Sequence, residues 1–395
     1  MHLVLAAINL FDDVHLPFGD VDSVYRYWMD YAAEHGVLVG IDTSWVYPVG
    51  ALLPMGLAYV LGSGPYPVVW LVLVTLLDAV ALAVVARRSS TAAWWWVAFL
   101  AALGPIAVGR IDSITVPLAI IGLLWLGSRP ALAGALLALG AWIKVWPAAL
   151  VVAALLAVRG RVRVLLGAAV LSIVLLASAL LLGSGANVFG FIFEQGDRGL
   201  QLEAPVSGWW LWGAVLGIGD SRVYFARSIL TYQVLGDGSA VVAGLMTPLL
   251  VLVVAAILLL AIRALRRDAS AEVLLAPLSL ALVVAMIAIN KVGSPQFYGW
   301  LAAPLVLALV TRSAGVMRYS IPVLGIALLT QVIYPWTYSY LVAADPLAAA
   351  LLTARNLALV VVLILLVQQL WSIGSRAGQN GTERRESTVA QLEEV

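Results

Sequence analysis

Long apolar runs are what most narrowly limit how this chain can fold. They cover approximately 66–86, 92–108, 113–127, 131–158, 162–183, 240–262, 270–290, 297–311, 317–336 and 346–370. About 20 apolar residues cross a bilayer core as a helix, which satisfies its own backbone hydrogen bonds. Repeated runs of this length predict an all-α polytopic membrane protein. Composition agrees: 63% of the residues are hydrophobic and 11% charged, against about 25% charged in soluble domains. The run 48–62 is amphipathic enough to lie at the interface, and Met1–Phe11 is apolar but short for a span. Either that first helix is short or the native start lies upstream.

Basic residues orient the bundle. Arg87 and Arg88, then Arg129, then Arg159, Arg161 and Arg163, then Arg263, Arg266 and Arg267, then Arg312 and Arg318 punctuate successive runs. Placing them all in the cytoplasm gives a self-consistent path if 131–158 enters and leaves on one side. A break at Lys144-Val145-Trp146-Pro147 permits that, since proline removes a backbone donor and disfavours helix before it. Two short helices, 131–143 and 147–158, are expected to meet near the outer face. The longer polar segments 12–47, 184–239, 290–297 and 336–345 then fall outside. Residues 1–371 form one transmembrane domain, and the polar stretch 372–395 is expected to be a disordered cytoplasmic tail.

Several function classes drop out. Net charge is +1, so nothing electrostatic favours nucleic acid. Cysteine is absent, which removes thiolate chemistry and disulfides. His2, His15 and His35 lack zinc-ligand spacing, and no glycine-rich phosphate loop is present.

The outer segments carry the unusual chemistry. Asp20 and Asp22 stand two apart in Gly19-Asp20-Val21-Asp22, ahead of Tyr25, Arg26 and Trp28. A carboxylate there suits a general base toward a sugar hydroxyl, with aromatics to stack on sugar rings; a capped, solvated loop with interfacial aromatics fits as well. Asp20-Val21-Asp22 also matches the loose acidic pair of metal-dependent nucleotide-sugar enzymes, but the chain has no room for their soluble domain. Arg110 and Asp112 are either a charged turn or a second arginine–carboxylate element. Lys144, between Trp142 and Trp146, either snorkels to the interface or aims a positive charge at a lipid phosphate. Asp197, Arg198 and Glu203, followed by Trp209, Trp210 and Trp212, suit a carbohydrate or phosphate ligand or a packed cap. Lys291 is either a phosphate contact or a membrane-edge anchor.

In order, these segments resemble glycosyltransferase family 87, the polyprenol-phosphate-mannose-dependent alpha-mannosyltransferases of actinobacterial type. The resemblance rests on the acidic first loop, Tyr47-Pro48, Gly109-Arg110-Ile111-Asp112, Ile143-Lys144-Val145-Trp146-Pro147, the segment Asp197–Glu203 and Ser294-Pro295-Gln296-Phe297-Tyr298-Gly299-Trp300. It implies a GT-C-like bundle of roughly 10–12 membrane helices whose external loops form the active site. It implies an inverting transfer, on the extracytoplasmic face of the plasma membrane, of a hexose such as mannose from a polyprenyl-phosphate donor. The acceptor is a cell-envelope glycolipid or glycan. Asp20 best matches the family's essential acid, with Asp22 its neighbour. Lys144, Arg198 and Lys291 are candidate phosphate ligands; Tyr25, Arg110, Asp112, Asp197, Glu203 and Trp209 are candidate substrate contacts. No cofactor is required on this reading, and assistance by a divalent metal is open. An arabinosyl donor is the nearest alternative, and a lipid or solute transporter or flippase the main rival from another class.

Overall fold

The computed structural model describes residues 1–393 apart from Asp13, Gln195 and Asp197. Its helices are α1 (His2–Phe11), α2 (Arg26–His35), α3 (Leu52–Gly62), α4 (Tyr66–Ala86), α5 (Ser90–Leu103), α6 (Asp112–Trp125), α7 (Pro130–Ile143), α8 (Pro147–Ala157), α9 (Arg161–Leu181), α10 (Gly190–Phe193), α11 (Gly208–Leu216), α12 (Ser239–Arg266), α13 (Ala271–Ala288), α14 (Ala302–Val310), α15 (Ala314–Met317), α16 (Ser320–Gln331), α17 (Tyr338–Val342) and α18 (Pro346–Glu393). A single hairpin pairs β1 (Arg222–Ala226) with β2 (Thr231–Leu235). Among the described residues, seven helical segments are long and apolar enough to cross a membrane, and six shorter apolar ones accompany them. The protein is an all-α polytopic membrane protein.

The short helices have local causes. α7 and α8 each begin on a proline, where the missing N–H costs nothing because that donor has no helical partner anyway. The break falls at Lys144, whose backbone is extended, while Trp146 next to Pro147 stays helical. α7 returns along α9 at very close range. A Cβ on Gly134 or Gly167 would overlap the backbone of Val164 or Ala131, so only glycine permits this crossing.

Burial separates the helices into a centre and a rim. α6, α13 and α14 are buried along nearly all of their length and lie in the main apolar core with α5, α8, α16 and α18. α9 and α12 expose Leu165, Leu166, Val170, Ile173, Leu245, Leu252 and Leu259, the surface expected against hydrocarbon. A second core joins α1, α4 and the start of α6 around Tyr25, Tyr66 and Trp70.

The first outer segment is more ordered than its polar composition suggests. Within 12–47, a π-helical turn (Asp20–Tyr25) runs into α2, supported by the Arg26–Asp22 and Arg26–Asp30 pairs at 3.6 Å and stopped by Gly36 in the left-handed region. α18 is helical from Pro346 to Glu393.

α18 also gives the bundle two unlike ends. Near Trp371–Ser375 it meets the basic residues of other helices: Arg263 donates to the Trp371 carbonyl and the Ser375 hydroxyl, and Arg318 to Gln369. Arg355, about 24–30 Å away along the helix at 1.5 Å per residue, meets the segment 194–204 instead. That separation matches the thickness of a hydrocarbon core.

Candidate active site

The site is assembled at the Arg355 end, around a buried arginine. Arg110 follows the turn after α5, and its guanidinium donates from Nη1 to the carbonyls of Pro17 and Gly109, both at 2.7 Å, and from Nη2 to the Tyr334 hydroxyl at 2.8 Å. Its Nε faces Asp20 Oδ2 at 3.1 Å. Burial works against this charge, but Asp20 and Tyr334 outweigh it and hold the Arg110 pKa above its ordinary value. Asp20 keeps 35% of its side chain exposed. Fixed on one side by a cation that cannot move, its carboxylate is open on the other side. Asp22 is 53% exposed, and its one ion pair among the described residues is with Arg26 at the surface.

Tyr25 lies beneath this pair, fully buried. Its hydroxyl accepts from the Ile111 N–H at 3.1 Å, and its ring packs against Trp28, Tyr47 and Trp70. Burial raises its phenol well above the ordinary tyrosine range, with Tyr47 and Asp20 adding to the effect. It therefore holds the first outer segment onto the Gly109–Asp112 turn and offers no surface to a substrate.

A second group of charges stands across Tyr25 from Asp20. Lys144, in the α7–α8 break, places its Nζ 4.4 Å above the Tyr47 ring and 5.6 Å from the Phe297 ring. No carboxylate among the described residues pairs with it. Arg198 is half-buried and within electrostatic reach of Tyr47. Burial lowers its pKa, Tyr47 and Glu194 oppose that, and its Nε is buried with no hydrogen-bond partner among the described residues. A desolvated guanidinium N–H without an acceptor is costly unless an anion is meant to meet it.

The hairpin positions Arg198. Leu200 and Leu202 exchange backbone hydrogen bonds with Val234 and Tyr232, so residues 200–202 lie against β2 as a short extra strand. The Gln201 N–H donates to the Lys291 carbonyl on the other side. Gly293 comes so close to Glu203 and Ala204 that any Cβ there would overlap their backbone. Lys291 is buried, and its Nζ donates to the Gly196 carbonyl at 2.6 Å. It thus fastens the 194–204 segment and is not aimed into open space.

Glu203 is likewise engaged. It forms a buried ion pair with Arg355 at 2.7 Å, while Arg355 also donates to the Glu203 carbonyl and to Asn356 Oδ1 and lies 4.3 Å over the Tyr298 ring. Burial pushes the Glu203 pKa up, opposed by Arg355 and Arg110. Asp112 is buried in the first turn of α6. One oxygen accepts from Trp300 Nε1 at 2.6 Å; the other has no partner among the described residues and borders a cavity of about 20 Å³ shared with Asp78, Ser113 and Gln296. Such a volume holds one water. Trp209 is 80% exposed on a separate apolar groove of about 440 Å³ between α11 and α18. Asp197 lies outside the described residues.

Of the residues singled out by sequence, Asp20 and Arg110 come together, and Lys144 and Arg198 stand near them. Tyr25, Glu203 and Lys291 are buried and spend polar atoms on the backbone or on another side chain, and Asp112 is buried with one oxygen on Trp300 and the other on the small cavity. Sequence reading missed Tyr47 as a partner of Lys144, Tyr334 as a partner of Arg110, and Arg355 altogether. Arg355 left a signal: an arginine inside an apolar run is expensive and calls for a buried partner. So did Asp78 within α4, which His2 meets at 2.8 Å.

Compared with known proteins, residues 45–288 match the family model of glycosyltransferase family 87. No curated protein and no solved structure matches the chain. The matched stretch contains Tyr47, Arg110, Lys144, Arg198 and Glu203; Asp20 precedes it and is tied to it through Arg110.

Proposed function

The chain belongs to glycosyltransferase family 87 and is a membrane glycosyltransferase, and from that premise we propose that it transfers a hexose, mannose for preference, from a polyprenyl-phosphate donor to a cell-envelope glycolipid or glycan. The observation that carries the donor assignment is the pair of cations beside Tyr47: Lys144 has no carboxylate partner and Arg198 has a buried N–H with no acceptor, among the described residues. They suit an anionic phosphate and would be costly without one.

The reaction follows from where the charges stand. The acceptor hydroxyl oxygen attacks the anomeric carbon of the donor. The bond from that carbon to the phosphate oxygen breaks, and its electron pair leaves on the phosphate, where Lys144 and Arg198 stabilise the growing charge. The hydroxyl proton passes to Asp20, the exposed carboxylate that Arg110 fixes in place. A single displacement inverts the anomeric centre. Arg110 orients Asp20 through its Nε at 3.1 Å, so the carboxylate is in place to take the proton as the carbon–oxygen bond forms. The basic residues gathered at the opposite end of α18 favour an extracytoplasmic site by the positive-inside rule.

Transfer of radiolabelled mannose from polyprenyl-phosphate mannose to membrane lipids tests this reading. Asp20→Asn at unchanged expression is expected to lose about 10²–10⁴ of the rate, whereas Asp22→Asn stays within about threefold because its surface pair with Arg26 contributes little. Full activity in Asp20→Asn would remove the base assignment. No transfer by folded wild type would remove the mannosyl donor, and arabinose would be tested next.

A further inference from the structure

Tyr47 closes the cationic end of the site, and nothing said so far gives its hydroxyl a task. Its ring is gripped edge-on by three others: Tyr25 at 6.3 Å and 77°, Trp28 at 5.9 Å and 82°, and Trp45 at 5.4 Å and 87° between centroids and planes. Edge-to-face contacts of this kind are favourable and directional, so three together leave the ring little freedom. Lys144 occupies a face of the same ring at 4.4 Å, and Arg198 lies within electrostatic reach of the phenol oxygen. The residue is only partly buried, and its hydroxyl forms no hydrogen bond among the described residues.

An interfacial packing role would account for the ring. It would not account for a hydroxyl on a ring so held, with the Lys144 ammonium over the ring face and the Arg198 guanidinium within electrostatic reach, the one without a carboxylate partner and the other with a buried N–H lacking an acceptor among the described residues. All three groups are hydrogen-bond donors, and the ligand that suits three neighbouring donors is an anion with several acceptor oxygens. The donor's phosphate is a diester with two non-bridging oxygens and becomes a monoester with three as the anomeric bond breaks, and hydrogen bonds from a hydroxyl to an ionised oxygen are among the short, strong ones; farnesyl monophosphate stands for that leaving group. A donor already fixed in direction binds without reorganising.

We propose that the Tyr47 hydroxyl is a third direct ligand of the donor lipid's phosphate, acting with Lys144 and Arg198. This rests on the polyprenyl-phosphate reading above and extends it to a residue whose ring also seats the Lys144 ammonium. Phenylalanine at this position keeps the ring, its three edge-on neighbours and the surface under Lys144, and removes the hydroxyl alone.

The test is binding of farnesyl monophosphate and of farnesol to the detergent-solubilised full chain, followed by tryptophan fluorescence, for wild type, Tyr47→Phe and Lys144→Ala. Wild type is expected to prefer farnesyl monophosphate to farnesol. Tyr47→Phe is expected to weaken the phosphate ligand about tenfold, the size of one hydrogen bond to a charged group, with farnesol affinity and unfolding midpoint unchanged. Lys144→Ala sets the scale for losing a cation. Tyr47→Phe binding farnesyl monophosphate as tightly as wild type, while wild type still discriminates against farnesol, overturns the role of Tyr47 and leaves the donor reading standing. Wild type without that discrimination overturns both.

Discussion

Replacing Arg355 with methionine removes one charge from the most enclosed ion pair in the described structure. The side chains of Arg355 and Glu203 are 0% and 2% exposed, so solvent neither screens their attraction at 2.7 Å nor rescues the survivor when one partner goes. Breaking a buried pair from one side typically costs about 3–5 kcal/mol, because the remaining charge stays desolvated. Arg355→Met also removes one donor each from the Glu203 carbonyl and Asn356 Oδ1, which keep Asn356 Nδ2 at 3.4 Å and the Tyr298 hydroxyl at 3.0 Å. The double variant Glu203→Gln, Arg355→Met leaves no buried charge and is expected to recover most of it, with a coupling of about 2 kcal/mol or more in the cycle. The loss has a pH signature. Burial already holds the Glu203 pKa above the ordinary 4.5, against the pull of Arg355 and Arg110. A raised carboxyl stabilises the fold fully below its unfolded pKa, and that contribution is lost as pH rises through the folded value. Removing Arg355 takes away the larger opposing influence and raises Glu203 further, so the variant loses more at pH 8 than at pH 5. Unfolding in mixed micelles by titration with dodecyl sulfate, followed by far-ultraviolet circular dichroism at both pH values, measures this. A loss below about 1 kcal/mol, or one equal at both pH values, would refute the claim that the pair is buried and coupled.

Two further substitutions probe the frame around the site. Gly167→Leu drives a side chain into the Ala131 backbone and is expected to cost at least about 1–3 kcal/mol, seen as a lower unfolding midpoint; Gly244→Leu on α12, where nothing stands within 4 Å of an added Cβ, serves as the neutral control. Trp300→Phe removes the donor to Asp112 at 2.6 Å, leaving that buried carboxylate with neither oxygen held by a side chain. It should cost about 1–3 kcal/mol in the same assay, and a stability equal to wild type would show that the cavity beside Asp112 supplies another partner.

The candidate site was legible as residue types and illegible as pairings. Asp20 and Arg110 each stand out as charges beside apolar runs, yet their contact joins positions 90 apart in the chain, and no spacing rule links them. The same holds for Glu203 and Arg355, which meet only because residues 200–202 lie against β2 and Gly293 lets the backbones approach. Lys144 was recognisable because a lone cation between tryptophans in an apolar stretch must find water, an aromatic face or an anion. That Tyr47 is the face it finds depends on how the first outer segment folds, and the polar composition of 12–47 conceals its helical turns.

The sequence by itself determined that the chain spans a membrane, where the spans fall and where one of them breaks. Transfer into hydrocarbon depends on local composition, and α-helix is the only local way to satisfy the backbone there. Only the tertiary structure decided which spans are central and which face lipid. The most apolar 18-residue window of α9 has a mean hydropathy of 2.7 against 2.3 for α13, yet α9 lies at the rim and α13 in the core. Lipid tails are as apolar as leucine, so hydropathy exerts no preference between the two places. Close approach of small residues and the pairing of scarce buried charges make that choice, and both depend on partners distant in sequence.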